Sequence, residues 1–158
     1  SPQSSLADYY RQIHLLFLKG KEGSELDTYA AQRAIFDNLP KRSPLIAKMF
    51  YFNYANYCKS QERRTPSFQK LITAIKAKYG DMSALPEALR NEFLSGSRPL
   101  MKYTNILTFN ARAICIYATC LAGCPWLYML IEIVVFTAIY VHMHKEHESL
   151  CENIYKNI

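Results

Sequence analysis

Residues 103–143 carry only two formal charges, Arg112 and Glu132, and are interrupted once, at Gly123-Cys124-Pro125. The interruption leaves two apolar segments of about 20 residues each, the length at which a helix crosses the hydrocarbon core of a bilayer. Buried core helices of a soluble bundle are the competing account, because they too are apolar all round. Two consecutive segments of this length would need a surrounding bundle larger than the remaining charged helices supply. The sequence therefore predicts a C-terminal transmembrane helical hairpin over residues 99–158, ending in a polar tail.

Aromatic and basic residues are arranged as that hairpin requires. Trp126 and Tyr128 lie at the turn end, Tyr103 and Tyr140 at the open end, matching two interfacial belts. The turn is uncharged, whereas Arg98, Lys102 and Lys145 flank the open end. By the positive-inside rule both ends of the hairpin face the cytoplasm.

The charge balance is asymmetric in the same sense. Residues 41–78 hold nine Lys and Arg against Glu62 alone, a net +8, so the rest of the chain is −2 against a total of +6. Such a block is drawn to anionic lipid, nucleic acid or a phosphorylated ligand. The five cysteines, Cys58, Cys115, Cys120, Cys124 and Cys151, form no CxxC pair and show no repeated spacing. They read as free thiols and not as a disulfide framework.

Prolines and glycines punctuate a helical pattern elsewhere, and no run alternates as a strand does. The fold class is all-α. Ser4 and Ser5 are positioned to cap a helix over residues 1–20 with the apolar face Leu6, Tyr10, Ile13, Phe17, either free-standing or the end of a preceding membrane helix. A polar, basic helical region follows over residues 24–98. In it Ser24 and Asp27 resemble a capping box for a helix stopping near Pro40, and Ser43-Pro44 and Thr65-Pro66 open helices over 44–60 and 66–79. Pro86 starts a short helix to residue 94, Ser95-Gly96-Ser97 forms a turn, and Pro99 opens one continuous helix to residue 121. Gly123 stops that helix and Pro125 begins the last.

Arg112 and Glu132 are the residues that lipid penalises, by about 2.5–3.5 kcal/mol each at a helix centre. Counted from the turn, their depths differ by about 6 Å at 1.5 Å per residue, within reach of an arginine side chain. A structural intramembrane ion pair is the first reading. The second places Arg112 with Asn105, Thr108 and Asn110 around a polar cavity that admits a substrate phosphate. His14 reads as a structural histidine, with a headgroup contact as the sharper alternative. His144, His147 and Cys151, spaced by 3 and 4, put three metal-ligating types on one helical face, but acidic residues interleave them and interfacial histidines account for the pattern. The run from Phe50 to Tyr57 puts Phe50, Tyr54 and Tyr57 on one face beside Lys48 and Lys59. That face suits stacking on single-stranded nucleic acid, a membrane interface, or a core between cytoplasmic helices. Nucleic acid is the least favoured of these, since no binding module accompanies it.

Three stretches carry a resemblance. They are Leu6-Ala7-Asp8-Tyr9-Tyr10-Arg11-Gln12-Ile13-His14 followed by Phe17-Leu18-Lys19-Gly20-Lys21; Tyr54-Ala55-Asn56-Tyr57-Cys58-Lys59-Ser60-Gln61-Glu62; and Leu100-Met101-Lys102-Tyr103-Thr104-Asn105-Ile106-Leu107-Thr108-Phe109-Asn110-Ala111-Arg112-Ala113. They resemble the C-terminal portion of a bacterial branch of the CDP-alcohol phosphatidyltransferase family. The resemblance implies an integral membrane enzyme of phospholipid synthesis, in a bacterial inner membrane, that moves a phospho-group from a CDP-linked donor to an alcohol with a divalent metal, Mg or Mn. It admits a homodimer as well as a monomer. The family's defining signature, Asp-Gly-x2-Ala-Arg-x8-Gly-x3-Asp-x3-Asp, is missing here: there is no Asp-Gly pair, and Asp8, Asp27, Asp37 and Asp81 are scattered. The expectation is that the catalytic half lies upstream, that this segment holds no cofactor and no catalytic residue, and that it is structural or substrate-positioning. The alternative is a non-enzymatic membrane-associated helical protein that binds anionic lipid or a partner protein.

Overall fold

The computed structural model describes residues 2–20, 24–40 and 42–158, and among these every regular element is helical. The elements are α1 (Pro2–Lys19), α2 (Tyr29–Asp37), α3 (Leu45–Arg64), α4 (Pro66–Tyr79), α5 (Glu87–Ser97), α6 (Met101–Ile106), α7 (Phe109–Leu121), α8 (Trp126–Leu130) and α9 (Thr137–Lys156). A π-helical segment, Ile131–Phe136, joins α8 to α9, so that Trp126–Lys156 is one rod of 31 residues.

The core forms where four amphipathic faces meet. Leu6, Tyr10, Ile13 and Phe17 of α1 are buried together, as their 4, 3, 4 spacing requires. Phe68, Leu71 and Ile75 of α4, Phe93 of α5, and Met143, Cys151 and Ile154 of α9 close around them. Ring stacking fixes the register: Phe17 lies on Phe93 at 3.8 Å between centroids and Tyr10 on His147 at 4.0 Å. Each fully buried side chain of this size contributes about 1.5–3 kcal/mol. The Glu148 carboxylate accepts from the Ser67 amide at 2.8 Å and so caps α4 from α9.

α2 and α3 pack as a pair against one side of this head. Glu62 accepts from the Tyr29 amide (2.8 Å) at the start of α2, Tyr54 donates to Asp27 (2.8 Å), and Gln61 donates to the Ser5 carbonyl (3.2 Å). The first turns of α3 leave Leu45, Ile46, Met49 and Phe50 exposed.

Several boundaries differ from the sequence expectation. α1 starts at Pro2, which leaves Ser4 and Ser5 inside its first turn. Ser24 and Asp27 do not cap α2: Ser24 donates to the Gln12 carbonyl, and Thr28 caps the helix by accepting from the Ala31 amide. Residues 95–97 continue α5, because α5 lies flush against α9 and Gly96 is the residue whose missing Cβ admits Leu150. Residues 99–121 are not one helix. They divide into a short 3-10 turn, α6, and α7, with the break at Leu107-Thr108, where Thr108 turns extended at ψ 170°. The turn that follows is as expected, with Gly123 at φ 74° and the Cys124 amide bonded back to the Thr119 carbonyl at 2.9 Å.

The rod has two environments. Its C-terminal half is the central helix of the head and not a free polar tail, burying Met143, His147, Cys151 and Ile154 at spacings of 4, 4 and 3. Its N-terminal half is bare. An 18-residue window of the rod has mean hydropathy 1.7, yet only 11% of it is buried, and by length and composition this helix can cross a membrane. α7 beside it, at 13 residues, is about 20 Å long and shorter than a bilayer core. It is bare too: Phe109, Ile114, Tyr117 and Leu121 are 67–90% exposed.

Candidate functional site

The break at Leu107-Thr108 exposes carbonyls that would otherwise bond within a helix. Thr108 Oγ1 donates to the Asn105 carbonyl at 2.6 Å, and Arg112 Nε donates to the Leu107 carbonyl at 3.4 Å. Arg112 thus reaches back from the first turn of α7 to close the gap made just before it. Its Nη1 donates to Glu132 Oε1, its Nη2 donates to Gln3 Oε1 at 2.7 Å, and the guanidinium carbon lies 5.0 Å from the centre of the Phe136 ring.

Glu132 sits in the π-helical segment, and its second oxygen accepts from the Tyr128 hydroxyl, one turn earlier, at 3.0 Å. The wider turn also brings Thr137 Oγ1 to 3.4 Å from the Glu132 carbonyl, where it donates, while Gln3 Nε2 donates to Thr137 Oγ1 at 3.0 Å. The result ties α1, α7 and the rod into one network with both charges compensated. Side-chain exposure is 9% for Arg112 and 25% for Glu132.

This arrangement decides what Arg112 can do. Three of its five N–H donors already have protein acceptors, its charge is paired with Glu132, and only 9% of the side chain is exposed, which leaves little of it open to a phosphate. Asn105 and Asn110 are exposed and do not join Arg112 in a cavity. The chemistry is that of a structural clamp. Tyr128 was within sight of the sequence, standing four residues before Glu132 on the same helical face. Gln3 carried no signal, because only the packing of α1 across the break brings it there.

The remaining candidates are structural or lie apart. His14 Nδ1 shares a hydrogen bond with Ser97 Oγ at 2.7 Å, and burial, with Arg98 nearby, lowers its pKa. His144 bonds the Tyr10 hydroxyl. His147, beyond the apolar stretch, is fully enclosed between Tyr10, Phe68 and Phe93, with Nδ1 3.6 Å from Cys151 Sγ. Burial drives its pKa down to about 3, so it is neutral. Tyr10 is pushed far up by the same burial and by Glu148. These are core groups on one helical face, and among the described residues no group of three or more ligating side chains is placed to hold a metal.

The aspartates point the same way. Asp8 pairs with Arg11 (3.4 Å), Asp37 with Arg33 (3.1 Å), Asp27 with Tyr54, and Asp81 accepts from the Met82 amide (2.6 Å); Asp8 and Asp27 border one cleft, whereas Asp37 and Asp81 lie elsewhere. Phe50, Tyr54 and Tyr57 do share a face, stacked at 5.9 and 6.0 Å. Tyr54 and Tyr57 open onto a cleft of about 340 Å³ that also holds Asp8, Glu25 and Asp27, carboxylates that repel a phosphate backbone.

Comparison with known protein families, with curated proteins and with solved structures gives no match.

Proposed function

We propose that this chain is the C-terminal, membrane-embedded part of an integral membrane phosphotransferase of phospholipid synthesis, where it is structural or substrate-positioning. The observation that carries the reading is the bare half of the rod: eighteen residues of mean hydropathy 1.7 with 11% buried, joined to a head whose own core is closed. Monomeric soluble proteins rarely leave a contiguous apolar band of this size in water. In this reading α8 to residue 143 is one arm of a hairpin and α6–α7 the other, broken where Arg112 covers the Leu107 carbonyl. Broken helices are tolerated at membrane depth when protein groups satisfy the freed backbone. Arg98, Lys102 and Lys145 then mark the cytoplasmic side.

The transferase part rests on the three stretches that resemble the CDP-alcohol phosphatidyltransferase family. The CDP-linked donor, the alcohol acceptor and the Mg or Mn ion would be handled by residues outside this chain, whose own aspartates are dispersed. The net +8 of residues 41–78 supports the second reading, a non-enzymatic membrane protein that binds anionic lipid. An Asp-Gly-x2-Ala-Arg signature encoded directly upstream separates the two.

Expressed alone, the chain should sediment with membranes and resist alkaline extraction; recovery as a soluble monomer without detergent would refute the membrane reading. It should also transfer nothing from CDP-activated donors with Mg or Mn. Turnover above background would place an active site in this chain and overturn the assignment.

A further inference from the structure

A second cleft, of about 440 Å³, runs between the 3-10 turn and α6 on one side and α9 on the other, and its walls include Lys102, Tyr103, His142 and Glu146. Its position along the rod is fixed by Tyr103, which packs edge-on against His142 at 5.2 Å. His142 is near the end of the apolar stretch, so the cleft starts where hydrocarbon would give way to headgroups. Pro99, Leu100 and Leu150 form its apolar wall.

Two opposite charges face this cleft without using each other. Lys102 Nζ lies 4.8 Å from the centre of the Tyr103 ring and is in no ion pair among the described residues; nor is Glu146. Both are exposed. Unpaired charges of opposite sign in one cleft are complementary to a ligand that carries both signs. Their order matters as well. Lys102 adjoins the His142 level, and Glu146 is one turn further out, about 6 Å at 1.5 Å per residue. A cation at the hydrocarbon edge and a carboxylate beyond it match a zwitterionic phospholipid, whose phosphate sits deeper than its amine.

We propose that this cleft is a binding site for a phospholipid headgroup with a phosphate and a primary ammonium, a phosphoethanolamine group, which sets the depth of the rod in the bilayer. Lys102 takes the phosphate, and Glu146 accepts hydrogen bonds from the ammonium. Trimethylated ammonium has no N–H to donate, and a glycerol headgroup has no charge for Glu146. The site rests on reading residues 126–143 as a membrane span, and it does not require that the chain belong to a transferase.

The test uses the chain purified in detergent, with dioleoyl-phosphatidylethanolamine, -phosphatidylcholine and -phosphatidylglycerol added singly and retention read by native mass spectrometry. The ethanolamine lipid should bind about tenfold more tightly than the other two, a difference of about 1.4 kcal/mol. Glu146→Gln should abolish that preference and leave phosphatidylglycerol binding unchanged. Lys102→Ala should weaken all three. Circular dichroism and melting of the variants confirm folding, since both side chains are exposed.

Equal retention of the three lipids, or a preference that survives Glu146→Gln, overturns the proposal. Soluble glycerophosphoethanolamine should compete with the lipid, and inorganic phosphate should not displace it. Tighter binding of phosphate than of lipid would make the cleft an anion site and also overturn the proposal. Failure of the chain to enter detergent micelles or membranes at all would instead remove the membrane reading itself, which is a separate result.

Discussion

Removing either partner of the Arg112–Glu132 pair should destabilise the protein, and the size of the loss follows from what each side chain leaves behind. Arg112→Leu strips Glu132 Oε1, Gln3 Oε1 and the Leu107 carbonyl of their donors at once, and Glu132 keeps only the Tyr128 hydroxyl. An uncompensated buried charge costs about 3–5 kcal/mol. The Leu107 carbonyl, at a residue with no exposure, adds the desolvation of an orphaned acceptor. Glu132→Leu leaves the guanidinium, the more buried partner at 9% side-chain exposure, without its counter-charge, although Gln3, the Leu107 carbonyl and the Phe136 ring still contact it. Its expected loss is therefore also about 3–5 kcal/mol.

The double substitution should lie well below the sum of the two, since neither charge then needs a partner. It should not return to the parent level, because the Leu107 carbonyl has lost its Arg112 donor and the Arg112–Gln3 bond is gone. Melting of the two single variants and the double variant in one detergent gives the double-mutant cycle, with a coupling of about 0.5–3 kcal/mol expected for contacting residues. Additive losses would mean that the pair does not act as a unit. A loss below about 1 kcal/mol from either single variant, as for a solvent-exposed pair, would refute the reading of Arg112 and Glu132 as a buried clamp.

Three further perturbations separate the parts of the fold. Val134→Asp puts a charge on a residue that is 62% exposed; if lipid covers it, insertion should weaken by about 2.5–3.5 kcal/mol, whereas unchanged membrane insertion would show that water covers it. Gly96→Ala sets overpacking of the new Cβ on the Leu150 side chain, about 1–3 kcal/mol, against a helix-propensity gain of about 0.5–1 kcal/mol. Stability should therefore fall by up to about 2 kcal/mol, and the same substitution in a Leu150→Ala background should cost nothing. His147 is neutral in the folded protein with its pKa near 3, while an unfolded histidine protonates near 6.5, so stability should fall as pH drops from about 6.5 towards 3, by at most about 1.4 kcal/mol per pH unit from this group. Melting curves of the parent and His147→Phe across that range test it, and identical pH slopes would remove His147 as the cause.

The helices were legible where one physical rule governs them. The 4, 3, 4 spacing on α1 can bury only as a helix face, and Pro66 and Gly80 delimit α4 by their backbone chemistry alone. What failed to show was anything decided by a distant partner. Residues 95–97 have turn composition, yet they stay helical because Leu150 occupies the space beside Gly96. The break at Leu107-Thr108 carries no proline or glycine, and it persists because Arg112 and Thr108 take the carbonyls it frees. The Arg112–Glu132 contact itself could be anticipated from depth counting, whereas the cation and carboxylate of the second cleft, 44 residues apart in sequence, meet only through the antiparallel packing of α6 on α9.

His144, His147 and Cys151 show why residue type and spacing underdetermine chemistry. The same 3, 4 interval that aligns metal ligands also aligns core residues, and the difference lies in what the facing helix presents. α1 presents Tyr10, which stacks on His147 and bonds His144, leaving the imidazoles to packing and hydrogen bonding. A carboxylate or a second thiol at that place would have made a ligand set. The division of the rod follows from the same logic of facing surfaces. Its outward half is met by α7 and, through Gln3, by the first turn of α1, and it leaves Trp126, Met129, Ile133 and Val134 exposed, while its other half meets α1, α4 and α5 and becomes core. One continuous helix thus joins a packed head to an apolar stretch. The clamp at Arg112 sits within that stretch, where a shift of the rod would be felt by α1 through Gln3.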